Sequence, residues 1–406
     1  MKLLEIAGGL YREACREPFI YNELRGSGGR AAWVAVELGC AARLHTCVDD
    51  TTNEDAKEWA STVGMSLAAH ETRAVPSFAY VHALSIPVIR PHPLELMDKT
   101  RVDVEAETVL RFGMLEANTI VRAKTAVYDP QSAFSPEPFR ANGSTAARLG
   151  IVANESEARS LAGNAVATPA ELAMTIRNRE QAEVAVVKAG ASGAWVADAH
   201  EVVHVPSRVT PRVWSIGSGD VFASVFAVRW ALEDANAADA ASEASRAVAA
   251  YVDRQVPPKR EDLVESERYP QASNQVPRGQ VYLAAPFFCV AQRWLVEECR
   301  ASMPRTVKVF SPLHDVGRGP FDEVAEADLR ALDASDAVLA LVEGCDPGTL
   351  VEVGHARARG IPVVALAESL SEESLVMLRG TGCIITQDLV SAIYNVVWQL
   401  GTTKSR

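Results

Sequence analysis

The sequence predicts an α/β protein of two doubly wound domains with mostly parallel sheets, the first larger than the second. Three observations carry this. From residue 1 to about 254, short β-branched runs alternate with alanine-rich helical stretches. The alternation stops in 255–279, where Pro257, Pro258, Pro270 and Pro277 sit among charged residues and few apolar anchors, the composition of a linker. It then restarts and runs through 280–406, a stretch that reads as a second, smaller domain.

In the first part, 3–7, 126–129, 150–153 and 184–188 are apolar runs too short for helices and read as buried strands. The segments 31–38, 155–163, 169–178 and 220–232 carry helical periodicity. In the second part the strands are 280–284, 306–310, 337–342 and 362–366. The helices are 292–300, 321–332 and 350–359. Segment 73–90 shows no clear pattern.

Composition narrows the function. The 406 residues carry a formal charge of −12 and no compensating basic stripe, which argues against a nucleic-acid partner. The longest apolar runs are broken by charge well short of a membrane span, and the first residues lack the pattern of a secretory signal. Seven scattered cysteines without a Cys-x-x-Cys pair read as reduced thiols, so a cytoplasmic protein is expected. The eight histidines have no ligand spacing with them.

Two motif sets carry chemistry. The first centres on Trp214-Ser215-Ile216-Gly217-Ser218-Gly219-Asp220, a glycine turn opening an apolar helix. Amides at a helix start can hold a phosphoryl group, with Asp220 beside it as a base or a simple helix cap. Gly26-Ser27-Gly28-Gly29 leads into an earlier helix, Asn154 and Glu157 open another, and Lys188, Gly190 and Gly193 lie at a strand end. In order and spacing, residues 1–255 resemble the ribokinase-like (PfkB) family of sugar and nucleoside kinases. That resemblance implies ATP and Mg²⁺ as cofactors and Asp220 as general base. The amides of Gly217, Ser218 and Gly219 would form the anion hole, and Lys188, Gly190 and Gly193 would line the nucleotide. Asn154 and Glu157 would organise Mg²⁺ through water, and Gly28 and Gly29 would lie against the sugar. Two positions depart from the family: Trp33 stands for its Asn and Trp214 for its Asp. An indole offers one donor and accepts nothing. The acceptor is therefore an unusual flat molecule, or this half binds without phosphorylating.

The second set is Tyr282-Leu283-Ala284-Ala285-Pro286-Phe287, then Asp336, then Asp346-Pro347-Gly348-Thr349-Leu350-Val351-Glu352-Val353-Gly354-His355-Ala356. Glu352 on a helix directly after a strand belongs at the carboxyl edge of the sheet, where open α/β sheets bind ligands. Residues 280–400 are similar to the nucleoside 2-deoxyribosyltransferase family, a flavodoxin/Rossmann-like fold. The similarity implies that Glu352 attacks the anomeric carbon and that Tyr282 orients it. Asp336 and Asp346 would contact the leaving base, and water or a second base would capture the glycosyl-enzyme. It also implies a homo-oligomer through this domain. Loop residues 311–315 fall on the substrate side; His314 and His355 receive no role. The expected protein thus pairs ATP-dependent phosphorylation of a nucleoside or pentose with N-glycosidic cleavage or base exchange. The alternative is a kinase-like sensing module beside a nucleotide N-glycohydrolase.

Overall fold

The computed structural model describes residues 2–132, 135–317 and 320–400. It divides into two compact units: Met1–Thr210 with Trp214–Gln271, and Pro211–Val213 with Ala272–Arg406.

In chain order the first unit has β1 (Leu3–Ala7), β2 (Arg12–Cys15), β3 (Tyr21–Leu24), α1 (Ser27–Glu37), β4 (Ala41–Val48), α2 (Asn53–Val63), β5 (Ser66–Glu71), β6 (Ser77–Tyr80) and β7 (Val88–Arg90). There follow β8 (Thr100–Phe112), β9 (Ala117–Asp129), β10 (Thr145–Asn154), α3 (Glu155–Ala162), α4 (Pro169–Glu180), β11 (Val184–Lys188), β12 (Ala194–Ala197), β13 (Val202–Val205), α5 (Ser218–Phe226) and α6 (Ala237–Arg254). Nine strands form one sheet in the order β13-β12-β11-β10-β9-β8-β1-β4-β5, all running the same way except β12, which is antiparallel to both β11 and β13. A second sheet, β3-β2-β6-β7, comes from 12–24 and from the segment that showed no sequence pattern. The expected helix over 220–232 is α5 followed by a π-helical stretch, Ala227–Leu232.

The helix–strand alternation fails between β8 and β10. Both β8 and β9 are 13 residues long and pair in parallel along their whole length, yet only residues 113–116 connect them. A straight strand of that length spans about 43 Å, whereas the five steps from Phe112 to Ala117 reach at most about 19 Å. The strands must therefore fold back on themselves. The pairing register omits Glu107, Lys124 and Ala147, which places the bend at one level in all three strands. Burial changes there too: Thr100–Ala106 alternates in and out, and Thr108–Phe112 is buried throughout. Alternation on one arm and a continuous apolar run on the other is the period switch that a bent strand needs.

Residues 255–279 are not all linker. Up to Gln271 they belong to the first unit: Leu263 and Tyr269 are buried, and the Tyr269 hydroxyl donates to Asp253 (2.8 Å). Arg208 also donates to Glu265 (2.9 Å). The few apolar residues of this stretch suffice to seat it.

The second unit has β14 (Gly279–Ala284), α7 (Val290–Ser302), β15 (Val307–Phe310), α8 (Pro312–Asp315), α9 (Phe321–Asp333), β16 (Ala337–Leu341), α10 (Pro347–Ala358), β17 (Val363–Leu366), α11 (Glu372–Gly380), β18 (Ile384–Thr386) and α12 (Leu389–Leu400). Its five strands are all parallel, in the order β15-β14-β16-β17-β18, around a core that includes Tyr282, Val338, Ala340, Val353 and Val363. No helix among the described residues is long and apolar enough to cross a membrane.

Candidate active sites

In the second unit, β14 ends one residue pair from the close of β16, and α10 follows β16 after a short loop. Asp346 caps α10: its carboxylate accepts from the Thr349 amide (2.8 Å) and hydroxyl (3.0 Å), and Pro347 fits the first helical position. Glu352 lies in the second turn, half-buried. The fully buried Tyr282 reaches it from β14, its hydroxyl donating to Glu352 Oε1 at 2.6 Å. Phe310 stacks on the Tyr282 ring, 5.5 Å between centroids, and fixes that hydroxyl. Burial pushes the Glu352 carboxyl up to about 7; the Tyr282 bond opposes this, and the nearby Asp328 and Asp346 add to it.

Asp328 was not singled out from the sequence. It stands on α9, its Oδ1 buried without a hydrogen-bond partner, and burial raises its pKa. The signal was present: Asp328 shares a helical stripe with Val324, Ala331 and Leu332, where an apolar residue is expected. Asp336 is the converse case and a correction. It precedes β16, so it lies at the amino edge of the sheet, about 16 Å of strand from the far end of β16. There it accepts from the Gln280 amide (2.8 Å) and pins β14 to β16. His314 is held by Ser311 (3.1 Å) and Glu297 (2.7 Å), and His355 by Asp333 (2.8 Å).

In the first unit Asp220, Gly217, Gly219, Lys188 and Glu157 lie near one another, and each is engaged by a neighbouring side chain or backbone. Gly217 adopts φ +79° as the residue before α5, and a Cβ there would overlap the Arg30 guanidinium. Arg30, from α1, donates to Asp220 Oδ2 (2.5 Å) and also pairs with Glu13 of β2, while Gln131 donates to Asp220 Oδ1. Asp220 is only 6% exposed. Burial raises its pKa and Arg30 opposes the rise. The carboxylate expected to serve as a base is thus buried and engaged on both oxygens. Tyr21 donates to Glu13 (2.9 Å), and Trp214 is covered by Phe19 (stacked, 5.3 Å) and by the edge of Tyr21 (5.4 Å). Trp33 packs against Trp59, with Arg25 over its ring.

The glycine pair has local reasons. A Cβ on Gly28 would strike the Gly8 backbone, and one on Gly29 would meet Leu10 and, at 3.3 Å, Trp59. These glycines let α1 lie against the end of β1. Gly193 is required by the Val205–Ser207 backbone alongside it, and Gly190 turns at φ +55°. Asn154 and Glu157 bond each other as a capping box, both at 2.9 Å. Lys188 pairs with Asp129 (2.6 Å) and comes within 3.1 Å of a Cβ built on Gly219. Burial would lower the Lys188 pKa, but Asp129 and Glu157 raise it. With a buried ammonium beside Asp129 and Glu157, and Asn154 spent on a cap, this donor set does not fit a hydrated Mg²⁺ carrying a triphosphate. Among the described residues, no group of three or more His, Cys, Asp or Glu side chains is arranged to hold a metal.

Comparison with known proteins separates the same two halves. Residues 149–259 match the pfkB family of carbohydrate kinases, and residues 281–385 match the nucleoside 2-deoxyribosyltransferase family. The chain joins a pfkB-type unit to a deoxyribosyltransferase-type unit. No curated protein matches it. Among solved structures it is similar to ribokinase from Thermotoga maritima, at 17% identity over 65% of this chain and 98% of that one (TM-score 0.46). A putative ribokinase from Agrobacterium tumefaciens gives 17% over 64% and 96% (TM-score 0.49). Phosphofructokinase-2 from Escherichia coli, in complex with fructose-6-phosphate, gives 16% over 65% and 97% (TM-score 0.46). The two matched segments lie in separate units of the chain.

Proposed function

We propose that the deoxyribosyltransferase-type unit cleaves or exchanges the N-glycosidic bond of a (deoxy)nucleoside or nucleotide, with Glu352 as nucleophile. One observation carries this: a half-buried carboxylate held by a fixed phenol at the carboxyl edge of a parallel sheet, with two further acids beside it. The Glu352 carboxylate forms a bond to the anomeric carbon as the C–N bond breaks, and the base leaves with the electron pair. Asp346 and Asp328 supply the contacts to the base. Asp328, whose pKa is raised, is suited to hold the proton that the leaving base takes. Water or a second base then attacks the same carbon and frees Glu352.

For the pfkB-type unit the pairing suggests phosphorylation of a nucleoside or pentose from ATP and Mg²⁺. That activity requires Asp220 to leave Arg30. The sealed Asp220 favours a second reading, in which this unit binds a nucleoside or nucleotide without turnover and modulates base release. Incubation of the chain with deoxynucleosides and their monophosphates, with and without ATP, followed by chromatography, tests both. Base release without ATP supports the Glu352 reading, and its absence across the panel sinks it. ATP-dependent phosphate esters would remove the second reading. We also propose a cytoplasmic homo-oligomer through the second unit. Light scattering checks the oligomeric state, and a monomer would contradict it.

A further inference from the structure

We infer that the pfkB-type unit holds its own phosphoryl-transfer site shut, with Arg30 in the acceptor's place on Asp220 and Lys188 paired with Asp129 beside Glu157, so that it transfers no phosphoryl group. This deepens the second reading above and is independent of the Glu352 chemistry.

A general base must reach a substrate hydroxyl within about 3 Å. Both Asp220 oxygens are taken, one by Arg30 and the other by Gln131. The guanidinium lies over Gly217, beside the amides that would receive the phosphoryl group. Glu13 completes the closure: it belongs to the four-stranded sheet, Arg30 to α1 and Asp220 to α5, so one buried cation ties three elements together. Four carboxylates (Glu13, Asp129, Glu157 and Asp220) share this interior with two cations, Arg30 and Lys188. The cations are already committed to these acids. A triphosphate would have to draw one of these cations away, at the cost of stranding a buried carboxylate. Tyr11, Tyr80 and Tyr251 lie within electrostatic reach of these charges. Their hydroxyls have pKa values raised first by burial and then by Glu13 and Asp220 in each case, with Arg30 opposing.

The test uses the full chain. Hydrogen exchange is followed at the amides of 217–221 with and without millimolar ATP and Mg²⁺, and ADP formation is measured alongside. We expect unchanged exchange and no ADP above the protein-free background. Slowed exchange at these amides, or ADP formation that falls in Asp220→Asn, would overturn the inference. Arg30→Met is expected to lower the melting temperature of this unit by roughly 10 °C, because it leaves two buried acids unpaired. An unchanged melting temperature would equally overturn it. If Arg30→Met does not fold, the exchange measurement on the unaltered chain still decides. Base release by the second unit, assayed in the same samples, separates failure of this inference from failure of the Glu352 reading.

Discussion

Tyr282→Phe removes one hydroxyl and one hydrogen bond, and the site geometry fixes the size of the effect. The ring is fully buried and stacked on Phe310, so phenylalanine keeps the packing and the fold. The loss is the 2.6 Å bond that favours ionised Glu352. A hydrogen bond to a charged group is worth about 1.5–3 kcal/mol, and the half-buried setting argues for the lower end. One pKa unit corresponds to about 1.4 kcal/mol, so the Glu352 pKa should rise by about one unit, from about 7 to about 8. Only the carboxylate is a nucleophile, so kcat/KM for base release climbs with pH through the Glu352 pKa. At pH 7 the ionised fraction falls from about a half to about a tenth, a roughly fivefold loss. At pH 9 the loss is about 10%. Initial rates of base release between pH 5 and 9.5, on both proteins, measure this. A rising limb that stays in place, or moves to lower pH, refutes the assigned role of Tyr282.

Other consequences obey the same logic. Asp328→Asn removes the carboxyl suited to give its proton to the leaving base, so base release should fall roughly a hundredfold; initial rates across the pH range report it. Asp336→Ala should leave the turnover number unchanged and cost about 1 kcal/mol in urea unfolding, because its carboxylate pins a strand amide at the sheet's amino edge. Glu116 is buried with Oε1 unpartnered, and burial raises its carboxyl from 4.5 to about 7. The folded form then holds a proton that the unfolded chain releases, so stability falls as pH rises from about 4.5 to about 7 and is flat above. Glu116→Gln should remove that slope and stabilise the first unit by about 3 kcal/mol at pH 8, read from unfolding curves at several pH values.

The second unit was legible in the sequence because its signals are local. Each of 280–284, 337–342 and 362–366 is a short apolar run followed by turn residues and a helix, and Glu352 follows its strand closely enough that topology alone places it at the carboxyl edge. Asp336 misled because a carboxylate before a strand and one after it look alike in sequence, although they occupy opposite edges. Asp328 was missed because helix α9 carries four other carboxylates, and only the helical stripe distinguishes the buried one. In the first unit the glycine and Asp220 positions were legible, but their surroundings were not. Arg30 lies 190 residues from Asp220, and nothing local shows that a long side chain from α1 fills the space an acceptor would need. The bent strands β8 to β10 were equally hidden, since a strand that folds back depends on the two strands stacked beside it. The paired sheet β3-β2-β6-β7 draws on segments 50 residues apart, too short and too mixed for periodicity to show.

Intact-mass and peptide mapping after rapid quench, on the chain mixed with a 2′-deoxynucleoside, tests the covalent step most directly. A deoxyribosyl mass added to the peptide that contains Glu352, with both the adduct and base release lost in Glu352→Gln, is the predicted result. Base release that survives this substitution, or an adduct on another residue, would contradict it.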